Sequence, residues 1–436
     1  MSNKTVYLDL AGDFIHPGII NIIKKAAEYG DILVGLSTDE SLTKHRRLPI
    51  LNYEQRKAVV EQLRGVTKVV PQEDWSCIPN LKKYRPNYLI HGDDWKVGLG
   101  SNLREEAFAV MKELGGEVIE IPYTYGFESS KLAKALNSYG TTPDIRLTKL
   151  RRLIEAKQPV RILEVHSGLC GLIVENLEVV KEDGVHCFDG MWSSSLTSST
   201  NKGKPDIEAV DLTTRLQELN DILETTTKPI IYDGDTGGKL EHFAFTVRTL
   251  ERNGISAIII EDKVGLKQNS LFGATVKQQL APIPDFCAKI HAGKNAQVTD
   301  AFMIIARIEA LIAEHPMEEA IERAKSYVEA GADGIMIHSK NKSGEDIHEF
   351  CKRFRSLFPT VPLVVVPTTY NHIYEKELVS WGVNVIIYAN HMLRAAYPAM
   401  NNVAKKILEY ERSLEVNEDC MPIKEILNLI PYEKKR

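Results

Sequence analysis

Asp233 and Asp235 stand two residues apart at the end of an apolar run, and Glu261 closes the next such run. Residues two apart on an extended chain point to the same side. Three carboxylates gathered there would repel one another unless a cation neutralised them. Hard oxygen donors with open positions suit Mg²⁺, which keeps water and binds anionic substrates as well. No His or Cys accompanies them, which disfavours zinc. The bland alternative is an Asp-rich turn capping the helices that follow. Arg307 closes a further apolar run. Its planar fork fits a phosphoryl group or a carboxylate; an ion pair with Glu309 or Glu261 is the structural alternative. His338 can touch a substrate or simply satisfy hydrogen bonds at a strand end. Ser194 and Ser195 offer hydroxyl and backbone donors to a carboxylate, although serines often end strands as plain loop residues.

Such residues need elements that converge. The second half of the chain contains eight short apolar runs: Arg161–Val165, Phe188–Trp192, Pro229–Tyr232, Ala257–Ile260, Phe302–Ala306, Gly334–Ile337, Leu363–Val366 and Val383–Tyr388. Near-continuous apolarity marks strands buried on both faces. Helical stretches lie between most of them, among them Ile207–Leu223, Leu240–Asn253, Met317–Ala330 and Glu345–Leu357. Eight β/α units in about 250 residues predict a (β/α)8 barrel, with the strand ends converging on one face. A doubly wound sheet has the same periodicity. The first half carries five strand candidates, Thr5–Leu10, Asp31–Leu36, Lys68–Val70, Tyr88–His91 and Glu117–Ile121, separated by helices such as Gly18–Tyr29 and Tyr53–Arg64. That alternation predicts an open, mostly parallel α/β sheet. Gly140 and Pro143 sit among small polar residues in 138–147, the expected linker. The reading is therefore one domain over 1–140 and a second over 148–436.

Composition narrows the function. The 436 residues carry 54 Lys and Arg against 59 Asp and Glu, a net charge of −5, which argues against non-specific nucleic-acid binding. No apolar run approaches a membrane span of about 20 residues, and the start lacks the pattern of a secretion signal. The six cysteines are scattered with no C-x-x-C pair, as expected of reduced thiols in a cytoplasmic protein.

Several short motifs then become specific together. Glu261-Asp262-Lys263 followed after five residues by Asn269-Ser270, the D-x-D-T-G at Asp233–Gly237, Ala306-Arg307 with Glu309-Ala310, and the stretch Ala330–Lys340 resemble the isocitrate lyase/phosphoenolpyruvate mutase superfamily. Val366-Pro367-Thr368 and Ala389-Asn390-His391 are similar too, so the likeness runs from about Arg161 to Ser413. It implies a barrel of that type and a Mg²⁺-dependent interconversion of phosphoenolpyruvate and phosphonopyruvate, a step of phosphonate biosynthesis. By matched positions, Asp233 binds the metal, and Asp235 and Glu261 hold it directly or through water. Ser194 and the Ser195 backbone hold the pyruvyl carboxylate, and Trp192 lines the pocket. Arg307 and His338 contact phosphoryl or enolate oxygens, Lys267 and Asn269 reach the phosphoryl group, and Asp206 matches an essential aspartate on a mobile loop. Asp206 also suits the N-cap of a helix from Ile207. Phosphonopyruvate hydrolase is the competing enzyme, and a non-catalytic barrel serving the first domain is the alternative of a different class. The likeness further implies a homo-oligomer, dimer or tetramer, exchanging a C-terminal helix within His391–Ser413, and coupling to a phosphonopyruvate decarboxylase. Two departures stand out. Trp192-Ser193-Ser194-Ser195 replaces the usual W-G-S-G, and 264–273 lack the cysteine of the C–C lyases.

The first half resembles a cytidylyltransferase. Gly12-Asp13-Phe14-Ile15-His16-Pro17-Gly18 opens a helix as an H-x-G-H motif does, with Ile19 in place of the second His. Lys44, Arg56 and Asp93 lie in stretches that also look familial, and Ser129-Ser130 follow Glu128 where G-I-S-S-T is usual. The implied ligand is CTP, its triphosphate at a helix N-terminus. The changes at Ile19 and Glu128 predict weakened triphosphate binding, by roughly 1.5–3 kcal/mol for each lost charge-assisted contact, so a regulatory or structural remnant stands as the alternative to an active cytidylyltransferase.

Overall fold

The computed structural model describes residues 4–44, 48–96, 100–122, 142–181, 184–265, 267 and 279–430. The chain divides into two compact units, Met1–Val160 with Asn176–Asp189 and Arg161–Glu175 with Gly190–Arg436.

The first unit is built on β1 (Thr5–Leu10), β2 (Asp31–Ser37), β3 (Val66–Gln72), β4 (Tyr88–Gly92) and β5 (Glu117–Ile121). They pair in parallel in the order β3-β2-β1-β4-β5. Strand alternation gives each face its own core. Val6 and Leu8 pack with Ile23, Val34 and Val60, and Tyr7 packs on the other face with Leu33, Leu81 and Met111. Helix α1 (Pro17–Ala26) begins with Pro17 in its first turn and His16 as N-cap. Helix α2 (Tyr53–Val60) begins on a reciprocal Asn52–Gln55 capping box. Both are shorter than expected because the following turn tightens to three-residue spacing, as in Tyr29 N to Ala26 O and Leu63 N to Val60 O. Helix α3 (Pro143–Ala156) is part of this unit: Thr43 Oγ1 donates to Ala156 O at 3.1 Å, and Arg152 donates to Ile50 O at 2.8 Å. Of the expected linker 138–147, residues 138–141 lie outside the described residues, and Pro143–Leu147 is not a linker but the start of α3.

In the second unit β6 (Val160–Val165), β7 (Gly190–Ser193), β8 (Ile230–Asp233), β9 (Ala257–Glu261), β10 (Met303–Ile308), β11 (Gly334–Ile337), β12 (Leu363–Val365) and β13 (Val385–Tyr388) close into a barrel in chain order. Closure decides between the barrel and the doubly wound sheet. Every residue of β7, β8 and β9 is buried, which is why those runs read as continuously apolar. Helix α4 (Ser195–Asn201) follows β7, capped by the Ser194 hydroxyl, which accepts from Thr197 N at 3.4 Å. The next helix, α5 (Leu212–Leu223), starts later than the expected Ile207. Its cap is Asp211, which accepts from Thr214 N at 3.0 Å and Thr214 Oγ1 at 2.8 Å. Asp206 is therefore not an N-cap. It lies in the loop between α4 and α5. Helix α6 (His391–Tyr410) follows β13 and has no buried residue among the described residues.

Candidate active site

The strands deliver side chains to one cavity at their C-terminal ends, about 540 Å³ of non-atom space including its open mouth. Trp192, Ser194 and Ser195 come from the end of β7, Asp233 from β8, Glu261 from β9, Arg307 from β10 and His338 from beyond β11. Thr368, Asn390, Asp206 and Lys267 complete much of the wall. Nine of the eleven expected barrel residues line it. Asp235 lies beside the cavity without lining it, and Asn269 is outside the described residues.

Lys267 organises the acidic side. Its Nζ donates to Asp206 Oδ1 at 2.7 Å, to Ser195 Oγ at 2.5 Å and to Asp235 Oδ1. Ser195 in turn donates to Asp233 Oδ2 from both N (3.0 Å) and Oγ (2.9 Å). Burial favours the neutral amine of Lys267, but Asp235, Asp233 and Asp206 outweigh it and hold the ammonium well above its ordinary range. Burial also pushes the Asp233 carboxyl up. Lys267, Arg215 and Arg307 overcome that and keep it below the ordinary carboxylate range. Asp235 ends above that range, through burial and the repulsion of Asp233.

The expectation that Asp233 and Asp235 align by strand alternation fails. The strand ends at Asp233, and Asp235 has φ 51°, in the left-handed region that Asp tolerates. That turn is locked by Gly234 N to Ile259 O and Glu261 N to Asp235 O, both at 2.8 Å.

The basic side is a compact network. Glu261 and Arg307 are cross-strand partners on β9 and β10, with Nη2 and Oε2 3.4 Å apart. Arg307 Nε donates to Glu309 Oε1 at 2.5 Å, and its Nη2 is 3.0 Å from His338 Nδ1. Glu309 is fully buried and also reaches His338 Nδ1 at 3.1 Å and Lys263 Nζ at 3.5 Å. Arg307 thus makes both ion pairs of the structural alternative while still facing the cavity. Burial and the neighbouring Arg307 push the His338 imidazolium down, so the ring is neutral at neutral pH. Burial raises Glu261 to about 7, against the pull of Arg307 and Lys263.

Among the described residues, no three His, Cys, Asp or Glu side chains form a ready cage for a metal. The three expected carboxylates therefore do not stand as one cluster. Asp233 and Glu261 line the cavity, and Glu261 Oε1 is buried and accepts no hydrogen bond among the described residues. The Lys263 ammonium lies 3.2 Å from that oxygen without a hydrogen bond's alignment, and two carboxylates facing one cavity fit a hard cation that keeps water and substrate oxygens as its other ligands.

The comparisons agree with this geometry. The family model described as phosphoenolpyruvate phosphomutase matches residues 150–408. The chain belongs to that family. It is 37% identical over 299 residues to the phosphoenolpyruvate phosphomutase of Tetrahymena pyriformis, covering 68% of this chain and 95% of the relative. A crystal structure of a phosphoenolpyruvate phosphomutase from Streptomyces platensis subsp. rosaceus superposes with TM-score 0.59 at 37% identity, over 64% of this chain and 93% of that one. A phosphonopyruvate hydrolase crystallised with oxalate and Mg²⁺ superposes with TM-score 0.57 at 32% identity, over 65% and 94%. Residues 13–151 match the cytidylyltransferase-like model.

Within this family's barrel, several supporting residues carried no readable signal. Arg215, in the first turn of α5, is buried and donates to Asp233 O at 2.5 Å and Ser193 O at 2.8 Å, with its guanidinium 4.0 Å from the Tyr232 ring centre. Asp262 was visible only as part of a motif. It points out of the barrel between helices, where it accepts from Tyr327 OH (2.7 Å), Arg323 Nη1 (3.1 Å) and Glu309 N (2.9 Å). Glu261 and Lys263, on either side, pair with each other at 3.2 Å.

The cytidylyltransferase-like residues are placed differently. His16 Nδ1 accepts from Gly18 N at 3.2 Å, and burial lowers its affinity for a proton. Gly12, at φ 71°, turns the chain into that loop. Asp13 Oδ1 accepts from Ile50 N at 2.9 Å. Lys44 is exposed and pairs with Glu40 at 3.2 Å, and Asp93 begins a short 3-10 turn after β4. Arg56 corrects the expectation of a nucleotide contact. It is fully buried and donates to Ala11 O, Ser37 O, Leu51 O and Asp39 Oδ1, so it holds the surrounding loops. Ser129 and Ser130 lie outside the described residues.

Proposed function

We propose that the barrel is a phosphoenolpyruvate mutase, moving a phosphoryl group between the enol oxygen of phosphoenolpyruvate and C3 of pyruvate to give 3-phosphonopyruvate. The observation that supports this reading is one cavity lined together by Arg307, Lys267, His338 and Asp206, from separate segments, and by Asp233 and Glu261. Phosphoryl transfer depends on positioning and charge neutralisation. Arg307 and Lys267 supply fixed cations for the phosphoryl oxygens, joined by Asn269, and neutral His338 binds without adding charge. Ser194, Ser195 and Trp192 take the pyruvyl end. Mg²⁺ held by Asp233, with Asp235 and Glu261 directly or through water, would stabilise the enolate and carboxylate charge. Asp206 and its loop keep water from the P–O bond that breaks and the P–C bond that forms. Capture by water instead yields pyruvate and inorganic phosphate, the hydrolase outcome. The test is phosphorus NMR of the full chain with phosphonopyruvate and Mg²⁺. Conversion to phosphoenolpyruvate, stopped by a chelator and restored by Mg²⁺, supports the reading; pyruvate with stoichiometric phosphate makes the protein a hydrolase.

For the first domain, read as 1–140 beside a barrel of 148–436, we infer CTP as the ligand, supported by the family match. Heat on mixing with CTP, and pyrophosphate released with a phosphonate acceptor, distinguish a transferase from a binding remnant. The solvent-facing Tyr397, Met400 and Leu408 of α6 support a homo-oligomer formed by exchange of this helix, checked by light scattering. A cytoplasmic location and a phosphonopyruvate decarboxylase that draws off the product complete the proposal.

A further inference from the structure

Asp206 is the part of the cavity wall that comes from the loop between α4 and α5, and its neighbours on both sides are open to solvent. Lys204, Pro205, Ile207, Glu208 and Ala209 are exposed, whereas the Asp206 carboxylate is turned in to Lys267. Two residues on, Glu208 makes a second attachment. Its Oε1 accepts from Thr236 Oγ1 at 2.8 Å and from Thr236 N at 3.1 Å. Thr236 is itself buried and fixed, because Lys289 Nζ donates to its carbonyl at 2.6 Å. It also adjoins Asp235, the other carboxylate that Lys267 holds. Glu208 adopts φ 60°, a left-handed conformation rare for a residue with a long side chain, and this loop keeps it where the two donors are met.

We propose that Glu208 is a positioning residue that latches this loop onto Thr236 and so decides whether the phosphoryl group returns to pyruvate or is lost to water. The proposal rests on the mutase reading. Asp206 is seated by two ties at right places: one inward through Lys267, one at the rim through Glu208. A carboxylate accepting two donors is a charge-assisted attachment, and it acts on the loop without touching the reacting atoms. With the rim tie gone, the loop lifts more often, and water enters while Lys267 still holds the acidic side. The effect on chemistry is therefore a change of product before it is a loss of binding.

The test compares Glu208→Ala and Glu208→Gln in the full chain. Phosphorus NMR reads the ratio of phosphoenolpyruvate to inorganic phosphate from phosphonopyruvate, and hydrogen exchange with mass spectrometry reads the amides of 203–210. Glu208→Ala is expected to raise the phosphate fraction at least about fivefold, lower kcat about tenfold and leave KM within about twofold, with faster exchange confined to the loop; these sizes correspond to losing one charge-assisted attachment of about 1.5 kcal/mol. Glu208→Gln keeps an acceptor oxygen and is expected to retain the wild-type product ratio. An unchanged product ratio in Glu208→Ala overturns the proposal, as does unchanged loop exchange. A wild-type chain that forms no phosphoenolpyruvate defeats the mutase reading instead, and the exchange comparison then still decides whether Glu208 latches the loop.

Discussion

Two buried arginines show how differently the two units use the same residue. Arg307 stands on the barrel wall with Glu309 on one side, Glu261 on the other and the cavity in front. Arg56 in the first unit is enclosed, its donors taken by three carbonyls and Asp39. Both look from the sequence like candidates for an anion. The difference lies in what surrounds them. A closed barrel brings the ends of separate strands to one rim, so cations and carboxylates from distant segments face a common space. In the first unit the described motif residues bind neighbouring backbone: His16 caps its own helix and Asp13 holds the amide of Ile50. Functional geometry here is a matter of convergence, and residue type alone does not supply it.

The largest expected effect tests Arg307. Arg307→Ala removes a fixed cation from the cavity, and phosphonopyruvate turnover should fall about 10²–10³-fold in kcat, with a circular dichroism spectrum like wild type. Near-normal turnover would erase the contrast with Arg56. The converse experiment is Arg56→Met, which strands Asp39 and three carbonyls. It should destabilise the first unit by about 3–5 kcal/mol in urea unfolding while barrel turnover stays within about twofold of wild type.

How far this contrast could be read beforehand depends on the packing involved. The eight barrel strands were legible because strands buried on both faces are apolar without interruption, and the strand ends placed Asp233, Glu261, Arg307 and His338 in advance. The start of α5 was misread because Asp206 and Asp211 are both plausible caps, and only the Asp211–Thr214 bonds distinguish them. Asp235 was misread because its turn has a left-handed residue where alternation assumes an extended one. Arg215 and Glu208 were invisible, and Thr236 was seen only as part of the D-x-D-T-G motif: their importance comes from side chains meeting across loops and helices. In the first unit the same limit worked the other way, since Arg56 looked functional until its partners were known.

Two smaller effects sharpen the picture within the barrel. His166, beyond β6, lies between Glu164 Oε1 at 2.5 Å and the Cys170 sulfur at 3.6 Å. Burial disfavours its charged form, but Cys170 and Glu164 prevail and push it up to about 10. A proton affinity raised above the unfolded value of about 6.5 stabilises the fold fully below that pH and loses its effect as pH climbs towards 10. His166→Gln should therefore cost about 1.5–3 kcal/mol near pH 6, the gap to wild type closing by about pH 10 in urea titrations at stepped pH. The smallest effect concerns Gly234, where a Cβ would come within 2.7 Å of the Ile258 side chain and 3.0 Å of Ile259 O. Gly234→Ala should lower stability by about 1–3 kcal/mol, because the Ile258 side chain it meets is fully buried and must repack; a neutral substitution in thermal unfolding would show that the turn carrying Asp235 is less tightly packed.

The central claim is that the barrel cavity returns the phosphoryl group to the same pyruvate skeleton without admitting water. Its most direct test is turnover of phosphonopyruvate by the full chain with Mg²⁺ in water enriched in heavy oxygen, with the products read by phosphorus NMR. The account predicts phosphoenolpyruvate as the main product, with no heavy oxygen on its phosphorus. Heavy oxygen appearing in inorganic phosphate, with pyruvate accumulating in equal amount, would contradict it.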